Sequence, residues 1–191
     1  MRTDGLLSCF KKGIYVKDLQ SLPADLDFHW MSIALSEADV SRRSGDFPVG
    51  AVLCVEGEFW GSARNRLFSQ ERTTAHAEHT LISELSGRLR TYASGREETN
   101  ITLYSTLEPC LMCLGVAVLH RVSRIVFACP DPNGGVSTLD AAQLPPLYQR
   151  GWPTFAAGPL QKESRALVME FLREGKFSSS KRMLEDFQRI E

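Results

Sequence analysis

Apolar residues recur along the chain with two periods, one typical of helices and the other of strands. Between Asp25 and about Ser44, the apolar positions Leu26, Trp30 and Ala34 share one helical face. The same spacing predicts helices from 73 or 74 to about 86 or beyond, and at 110–120, 162–173 and 181–190. Runs rich in β-branched and aromatic residues predict strands at 48–55, 59–63, 101–106, 124–129 and 154–157. This order predicts an α/β protein with layers around one sheet.

Two stretches do not follow this pattern. Residues 1–24 have no clear period, and we interpret them as an N-terminal extension of a domain that spans 25–175. Residues 176–191 are then a C-terminal helix that packs on the domain or extends it. Within 136–151 the paired prolines argue for a loop, with a single helical turn at 139–144 as a further possibility.

Composition narrows the class of protein. The chain has 191 residues, 43% of them hydrophobic and 24% charged, which is ordinary for a globular protein. A formal net charge of −1 gives no support for a strongly basic nucleic-acid-binding protein, although a local basic patch is compatible with it. No stretch reaches the roughly eighteen apolar residues of a membrane helix, and the N-terminus lacks the pattern of a signal peptide.

The cysteines indicate the redox environment. Their number is 5, an odd count, and two of them form a C-x-x-C beside a proline. This arrangement is not typical of a disulfide framework, whereas reduced thiols and a metal site account for it. We therefore expect a cytoplasmic protein.

Two segments carry residues that bind metals. His76 and Glu78 lie at the start of one predicted helix, and Cys110 and Cys113 follow Pro109 at the start of the next. Zinc takes four tetrahedral nitrogen and sulfur ligands, and a cysteine pair three positions apart lies on one helical face. A histidine, a glutamate two positions later and a Pro-Cys-x-x-Cys are together the signature of zinc deaminases.

This ligand set predicts a reaction. Three protein ligands leave the fourth zinc position for water, whose pKa the metal would lower to about 7. The hydroxide formed would attack the ring carbon of a nucleobase and release ammonia. Glu78 would be the catalytic residue, because it stands beside the ligand His76 and can pass the proton of the water to the ring nitrogen and then to the ammonia.

Other uses of these residues stay open. A C-x-x-C can be a redox pair, but no thioredoxin-like βαβ pattern precedes Cys110. A structural zinc requires a fourth protein ligand, for which His79 and His120 are candidates. Surface or packing positions are the favoured interpretation of both histidines, and also of His29 beside Trp30.

From about Phe28 to Leu172 the chain resembles the cytidine/deoxycytidylate deaminase superfamily, and within it the bacterial tRNA-specific adenosine deaminases. The segments that carry the resemblance are Pro48-Val49-Gly50-Ala51-Val52, Asn65-Arg66, Thr74-Ala75-His76-Ala77-Glu78 and Thr106-Leu107-Glu108-Pro109-Cys110-Leu111-Met112-Cys113. The resemblance implies a three-layer α/β/α fold with a central five-stranded mixed sheet. It also implies a zinc cofactor and a homodimer.

The resemblance further implies two substrate contacts. Asn65 would hydrogen-bond the target base, and the backbone around the small Ala77 would face its ring. An amide can donate and accept at once, whereas a turn-forming asparagine is the simpler interpretation. Phe47 and Phe68 are candidates for stacking on the base, with a core position favoured for either one.

The substrate is the least determined part of the prediction. The first hypothesis is hydrolysis of adenosine to inosine in tRNA, and the alternative is a free base or nucleoside such as guanine or cytosine. A catalytically idle binding subunit is a third hypothesis, against which Glu78 argues. The chain departs from the adenosine deaminase pattern at 131–135 and is extended at 87–100. A phosphate-contacting rim, or ordinary solvated positions, would account for Arg42, Arg43, Arg64, Arg66 and Arg72.

Overall fold

The computed structural model describes residues 24–189. The helices in this range are α1 (Ala24–Arg43), α2 (Ala77–Ala93), α3 (Leu111–Leu119), α4 (Pro146–Gln149), α5 (Gln161–Arg173) and α6 (Ser180–Arg189), with a 3-10 turn at Ala141–Gln143. The strands are β1 (Gly50–Val55), β2 (Glu58–Arg64), β3 (Ile101–Leu107), β4 (Arg124–Cys129) and β5 (Thr154–Ala157). Among the described residues, no helix is both long and apolar enough to cross a membrane.

The strands form one mixed sheet. Its five strands lie in the order β2-β1-β3-β4-β5. β1 is antiparallel to β2 and to β3, while β3, β4 and β5 run parallel. The parallel pairs place the carboxyl ends of β3 and β4 at the same edge, where Leu107 pairs with Cys129. The predicted five-stranded mixed sheet is confirmed.

Alternating residues of the strands pack on opposite faces of the sheet. Leu53 and Leu103 belong to a buried cluster with α2 and α3, whereas their neighbours Val52 and Tyr104 pack against α1. Because successive side chains of a strand point to opposite sides, the sheet has helices on both faces. This is the three-layer arrangement that the resemblance implies.

A buried ion pair fastens α1 to the middle of the sheet. The Arg124 guanidinium of β4 donates to both carboxylate oxygens of Asp27, at 2.9 and 2.7 Å. The Tyr104 hydroxyl of β3 donates to the same carboxylate at 2.8 Å. Gly50 permits the close approach of β1 to this helix, since a Cβ there would collide with the carbonyl oxygen of Ala34.

Several predicted element boundaries are wrong by a few residues. α2 begins at Ala77 and not at 73 or 74, because the backbone of His76 is extended, with φ −68° and ψ 152°. His76 is therefore the N-cap residue and not part of the helix. The loop expected at the paired prolines is also wrong in part, because Pro146 occupies the first turn of the short α4.

The ends of the predicted domain lie partly outside the described residues. The expected extension at 1–24 does so almost entirely, as does the last residue of the helix predicted at 181–190. The described part of α6 packs on α5, where Arg165 donates two hydrogen bonds to the carbonyl oxygen of a fully buried Phe187. The boundaries at 24/25 and 175/176 stay predictions.

Candidate metal centre and active site

Three side chains converge where α2 and α3 begin. His76 is the N-cap residue of α2, Cys110 is the N-cap residue of α3, and Cys113 lies in the first turn of α3. The His76 Nδ1 atom is 3.6 Å from each Sγ, and the two Sγ atoms are 3.8 Å apart.

These three distances fit one zinc ion. Tetrahedral angles with Zn–N of about 2.0–2.1 Å and Zn–S of about 2.3 Å require N···S separations of about 3.6 Å and an S···S separation of about 3.8 Å. Within the described residues, the ligand group consists of His76, Cys110 and Cys113. A closed structural site would need a fourth protein ligand, and neither His79 nor His120 belongs to this group.

His120 is occupied elsewhere. Its Nε2 atom is 2.8 Å from the hydroxyl of Ser86, and its Nδ1 atom is 2.9 Å from the carbonyl oxygen of Val116. Both ring nitrogens therefore have partners, and the contact with Ser86 joins the end of α3 to α2. The packing interpretation of this histidine agrees with its contacts.

The hydrogen bond between the two cysteines moves the pKa values of their thiols in opposite directions. The hydrogen bond between the two thiol groups lowers the pKa of Cys110 to about 3. The same hydrogen bond, together with burial, raises the pKa of Cys113 well above the ordinary value of a thiol. Zinc binds both sulfurs as thiolates, so its binding removes the proton from Cys113.

Glu78 lies next to this ligand group. Its side chain is buried, the Ser105 hydroxyl donates to Oε1 at 3.1 Å, and the Cys113 thiol lies 3.6 Å from Oε2. Burial raises the pKa of Glu78 above the usual range of a glutamate. A raised pKa makes the carboxylate a stronger proton acceptor than an ordinary glutamate, which suits a proton shuttle.

The ligand group opens on a cavity of about 320 Å³, which is the size of a small-ligand site. His76, Glu78 and Cys110 lie on its floor together with Asn65. Phe47 and Phe68 form part of its wall.

Ala77 is not among the residues that line the cavity. Its side chain is fully buried in the cluster beneath the sheet. The predicted contact between its backbone and the substrate stays a prediction.

Asn65 is held by hydrogen bonds at the edge of the cavity. Its Oδ1 atom accepts from the Leu67 amide at 2.9 Å, and its backbone carbonyl accepts from the Ser41 hydroxyl at 2.8 Å. The side chain therefore makes the turn that the simpler interpretation predicted, and it also lines the cavity. Its amide nitrogen carries the donors that a ligand can use.

Comparison with known proteins agrees with this geometry. The family profile described as "Cytidine and deoxycytidylate deaminase zinc-binding region" matches residues 25–129, which contain all three ligands. The chain belongs to this deaminase family. It is therefore a zinc-dependent deaminase, a hydrolase whose metal is held by His76, Cys110 and Cys113. Bound there, zinc supplies a water activated for nucleophilic attack at neutral pH.

Curated relatives of this deaminase include tRNA-specific adenosine deaminases. The one from Bacillus subtilis is 37% identical over 145 residues, which are 76% of this chain and 88% of the relative. The one from Aquifex aeolicus is 36% identical over 150 residues, which are 76% of this chain and 93% of the relative.

Solved structures include one from a study of A-to-I editing by tRNA:A34 deaminases, with a TM-score of 0.62 and 30% identity. The match covers 73% of this chain and 99% of that chain. A guanine deaminase from Nitrosomonas europaea, 22% identical with a TM-score of 0.57 over 79% of this chain and 85% of its own, shares the fold.

The cavity of this deaminase has wall residues that sequence reasoning missed. Phe177, in the link between α5 and α6, and Met183 of α6 line it, as do Glu108 and Asp131 beside the metal ligands. The helical spacing of apolar residues predicted that α6 forms, but it did not predict which part of the domain the helix packs against. Glu108 lies in one of the segments that carry the resemblance, but the resemblance implied no role for this residue.

Three of the five arginines proposed as a phosphate rim bind carboxylates of the deaminase itself. Arg42 and Arg43 pair with Asp39, and Arg64 pairs with Glu37 at 3.5 Å. These contacts hold them on the surface of α1. A role in binding phosphate stays a prediction for the other two, Arg66 and Arg72.

Proposed function

We propose that this deaminase converts adenosine to inosine within tRNA. The observation that carries the choice of substrate is its similarity, at 37% and 36% identity, to two curated tRNA-specific adenosine deaminases over most of their length. The structural match at 30% identity to a protein from a study of tRNA:A34 deaminases supports the same choice. The fold alone does not separate the possible bases, because a guanine deaminase shares it.

The residues of the cavity have distinct roles in this proposal. The Nδ2 group of Asn65 donates to the edge of the base, and its bond to the Leu67 amide keeps the side chain in place. Glu78 accepts one proton from the attacking water and delivers it to N1 of the ring. It then takes the remaining proton from the hydroxyl attached to C6 and passes it to the amino group, which leaves as ammonia. A C–O bond forms at C6 of adenine first and the C–N bond breaks afterwards, so water and adenosine give inosine and ammonia.

The size of the cavity limits what enters it. About 320 Å³ holds a base and part of its sugar, and not a stretch of folded RNA. A tRNA substrate must therefore present its base unstacked and turned out of the loop, which is how deaminases reach a target atom. The aromatic wall at Phe47, Phe68 and Phe177 offers surfaces for the flat face of that base.

A cytoplasmic homodimer is part of the proposal. None of the four cysteines among the described residues forms a disulfide, which is typical of a reducing compartment. Leu111 and Leu119 on α3 are 62% and 56% exposed, and a second copy of the chain would cover them.

A panel of substrates tests the proposal. Zinc-loaded protein is incubated with a tRNA transcript, free adenosine, guanine and cytosine, and both inosine and released ammonia are measured. We expect inosine in the tRNA and at least about hundredfold lower kcat/KM for the free compounds, which lack the contacts that the rest of the tRNA makes. Preferred release of ammonia from guanine or cytosine would contradict the substrate, and no release from any member would contradict the enzymatic role.

A further inference from the structure

Glu108 makes hydrogen bonds that no part of the proposed mechanism uses. It follows β3, is 8% exposed and contributes to the wall of the cavity. Its Oε1 atom accepts from the Ser137 amide at 2.7 Å, and its Oε2 atom accepts from the Asp131 amide at 3.1 Å. One carboxylate therefore holds both ends of a seven-residue loop, 131–137.

A glycine in this loop fits the carboxylate closely. A Cβ atom at Gly135 would collide with the carboxylate of Glu108 and would lie 2.7 Å from the Asp131 carbonyl oxygen. Gly135 also forms an isolated antiparallel bridge with Cys110, one of the zinc ligands. The loop is thus packed between Glu108 and the backbone that carries Cys110.

The loop forms one side of the substrate cavity. Asp131 lines the cavity, and its Oδ1 atom accepts from the Asn133 amide at 2.9 Å. Apart from the bridge at Gly135, no strand pairing in the described structure fixes the loop. Its shape therefore depends on Glu108, on the turn made by Asp131, and on Val136, which is 8% exposed and packs in the core.

We propose that Glu108 is a positioning residue, which sets the shape of the substrate cavity by clamping loop 131–137 against Cys110. Glu108 acts through the loop and takes no part in proton transfer. The role concerns the same cavity as the proposed function and rests on it only for the identity of the substrate.

The chemistry explains why a carboxylate is needed. Two backbone N–H groups approach the two oxygens, and both oxygens of a carboxylate accept. A glutamine in the same place turns its NH₂ group toward one of the two amides, so that a donor faces a donor. The side chain keeps its size, but one end of the loop is released.

The substitution Glu108→Gln tests the proposal, with Glu56→Gln as the matched control. Both oxygens of Glu56 also accept hydrogen bonds, from Tyr92 at 2.6 Å and from Asn100 at 3.1 Å, but outside the cavity. For Glu108→Gln we expect full zinc content, a KM about tenfold higher and a smaller change in kcat. Hydrogen exchange of the Asp131 or Ser137 amide should become faster, while the control changes none of these quantities.

The kinetic assay uses whichever substrate of the panel the unchanged protein deaminates. If that substrate is not tRNA, the proposed function fails and the test of Glu108 still holds. Hydrogen exchange at the Asp131 and Ser137 amides is measured without substrate, so this part of the test does not depend on the proposed function.

A second variant keeps the proposal testable if Glu108→Gln does not fold. Gly135→Ala pushes the carboxylate away from the loop and should raise KM in the same way. Unchanged KM in the variants that fold, or unchanged exchange at both amides in Glu108→Gln, would overturn the proposal. Loss of zinc together with kcat would also overturn it, because Glu108 would then support the metal and not the cavity.

Discussion

At the scale of single residues, burial controls the proton at the active site. Glu78 and Cys113 are buried beside each other, and the pKa of each is raised. The gap of two residues keeps Cys110 and Cys113 within one turn. His76 lies 34 positions before Cys110, and only the combined deaminase signature predicted that the three side chains would meet. The sequence did not predict Ser105, which holds Glu78 from a strand 27 positions away.

Removal of the Ser105 hydroxyl should shift the pH dependence of the enzyme. Its hydrogen bond lowers the pKa of Glu78 by favouring the charged carboxylate. In Ser105→Ala that pKa therefore rises, and the acid limb of the kcat/KM profile moves to higher pH, because Glu78 must be ionised to accept a proton. We expect kcat/KM at a pH below the limb to fall by about threefold to tenfold. A limb that stays in place or moves to lower pH would contradict this account of Glu78.

Zinc binding should release protons. The pKa values of Cys113 and of His76 are both raised in the absence of the metal, and both groups must be deprotonated to bind it, so we expect release of more than one proton per zinc near neutral pH. The zinc dissociation constant should therefore increase as pH falls. Calorimetric titration in buffers of different ionisation enthalpy measures the number directly. Cys110→Ala serves as the comparison and should fail to retain stoichiometric zinc, while a variant that does retain it would rule out this ligand set.

At the scale of elements, the helix ends determine where the ligands point. Both ligand-bearing helices begin one residue after an extended N-cap, at His76 and at Cys110. Helical periodicity predicted these helices but placed their first turns too early, because it does not register the change from extended to helical backbone. It predicted α6 well and gave no sign that Met183 lines the cavity, since packing between distant segments leaves no periodic signal.

The link between α5 and α6 should contribute to substrate binding through Phe177. This ring lies against Phe47 and Phe68, at centroid distances of 6.4 and 5.7 Å. We expect Phe177→Ala to raise KM by about tenfold, because one face for the base is lost, while kcat changes less. Phe59→Ala is the control, since Phe59 stacks on Trp30 and does not line the cavity. Equal effects of the two substitutions on KM would contradict the assignment of Phe177 to the wall of the substrate cavity.

At the scale of the whole molecule, a polar contact between distant segments joins the outer helix α1 to the sheet. The sequence predicted the layers from the order of helices and strands, but not the ion pair of Arg124 with Asp27, whose residues are 97 positions apart. This pair joins the first helix to the central strands. It is well shielded, with the side chains 8% and 16% exposed.

Loss of the Arg124 side chain should therefore destabilise the entire domain. Arg124→Ala leaves Asp27 without its ionic partner, and we expect the free energy of unfolding to fall by about 3 kcal/mol. Arg43→Ala removes an exposed ion pair with Asp39 and should cost less than about 0.5 kcal/mol. Urea unfolding curves of both variants measure the difference. Similar decreases in the free energy of unfolding for the two variants would show that the pair of Arg124 with Asp27 does not hold α1 on the sheet.

The central claim is that this zinc enzyme forms inosine in tRNA and that Glu78 moves the proton. The most direct test measures inosine in a tRNA transcript after incubation with the unchanged protein and with Glu78→Ala, both at equal, verified zinc content. We predict inosine with the unchanged protein and a rate lower by a factor of about 10³ or more with the variant, whose zinc stays bound. Comparable inosine formation by both proteins, or none by the unchanged protein, would contradict the claim.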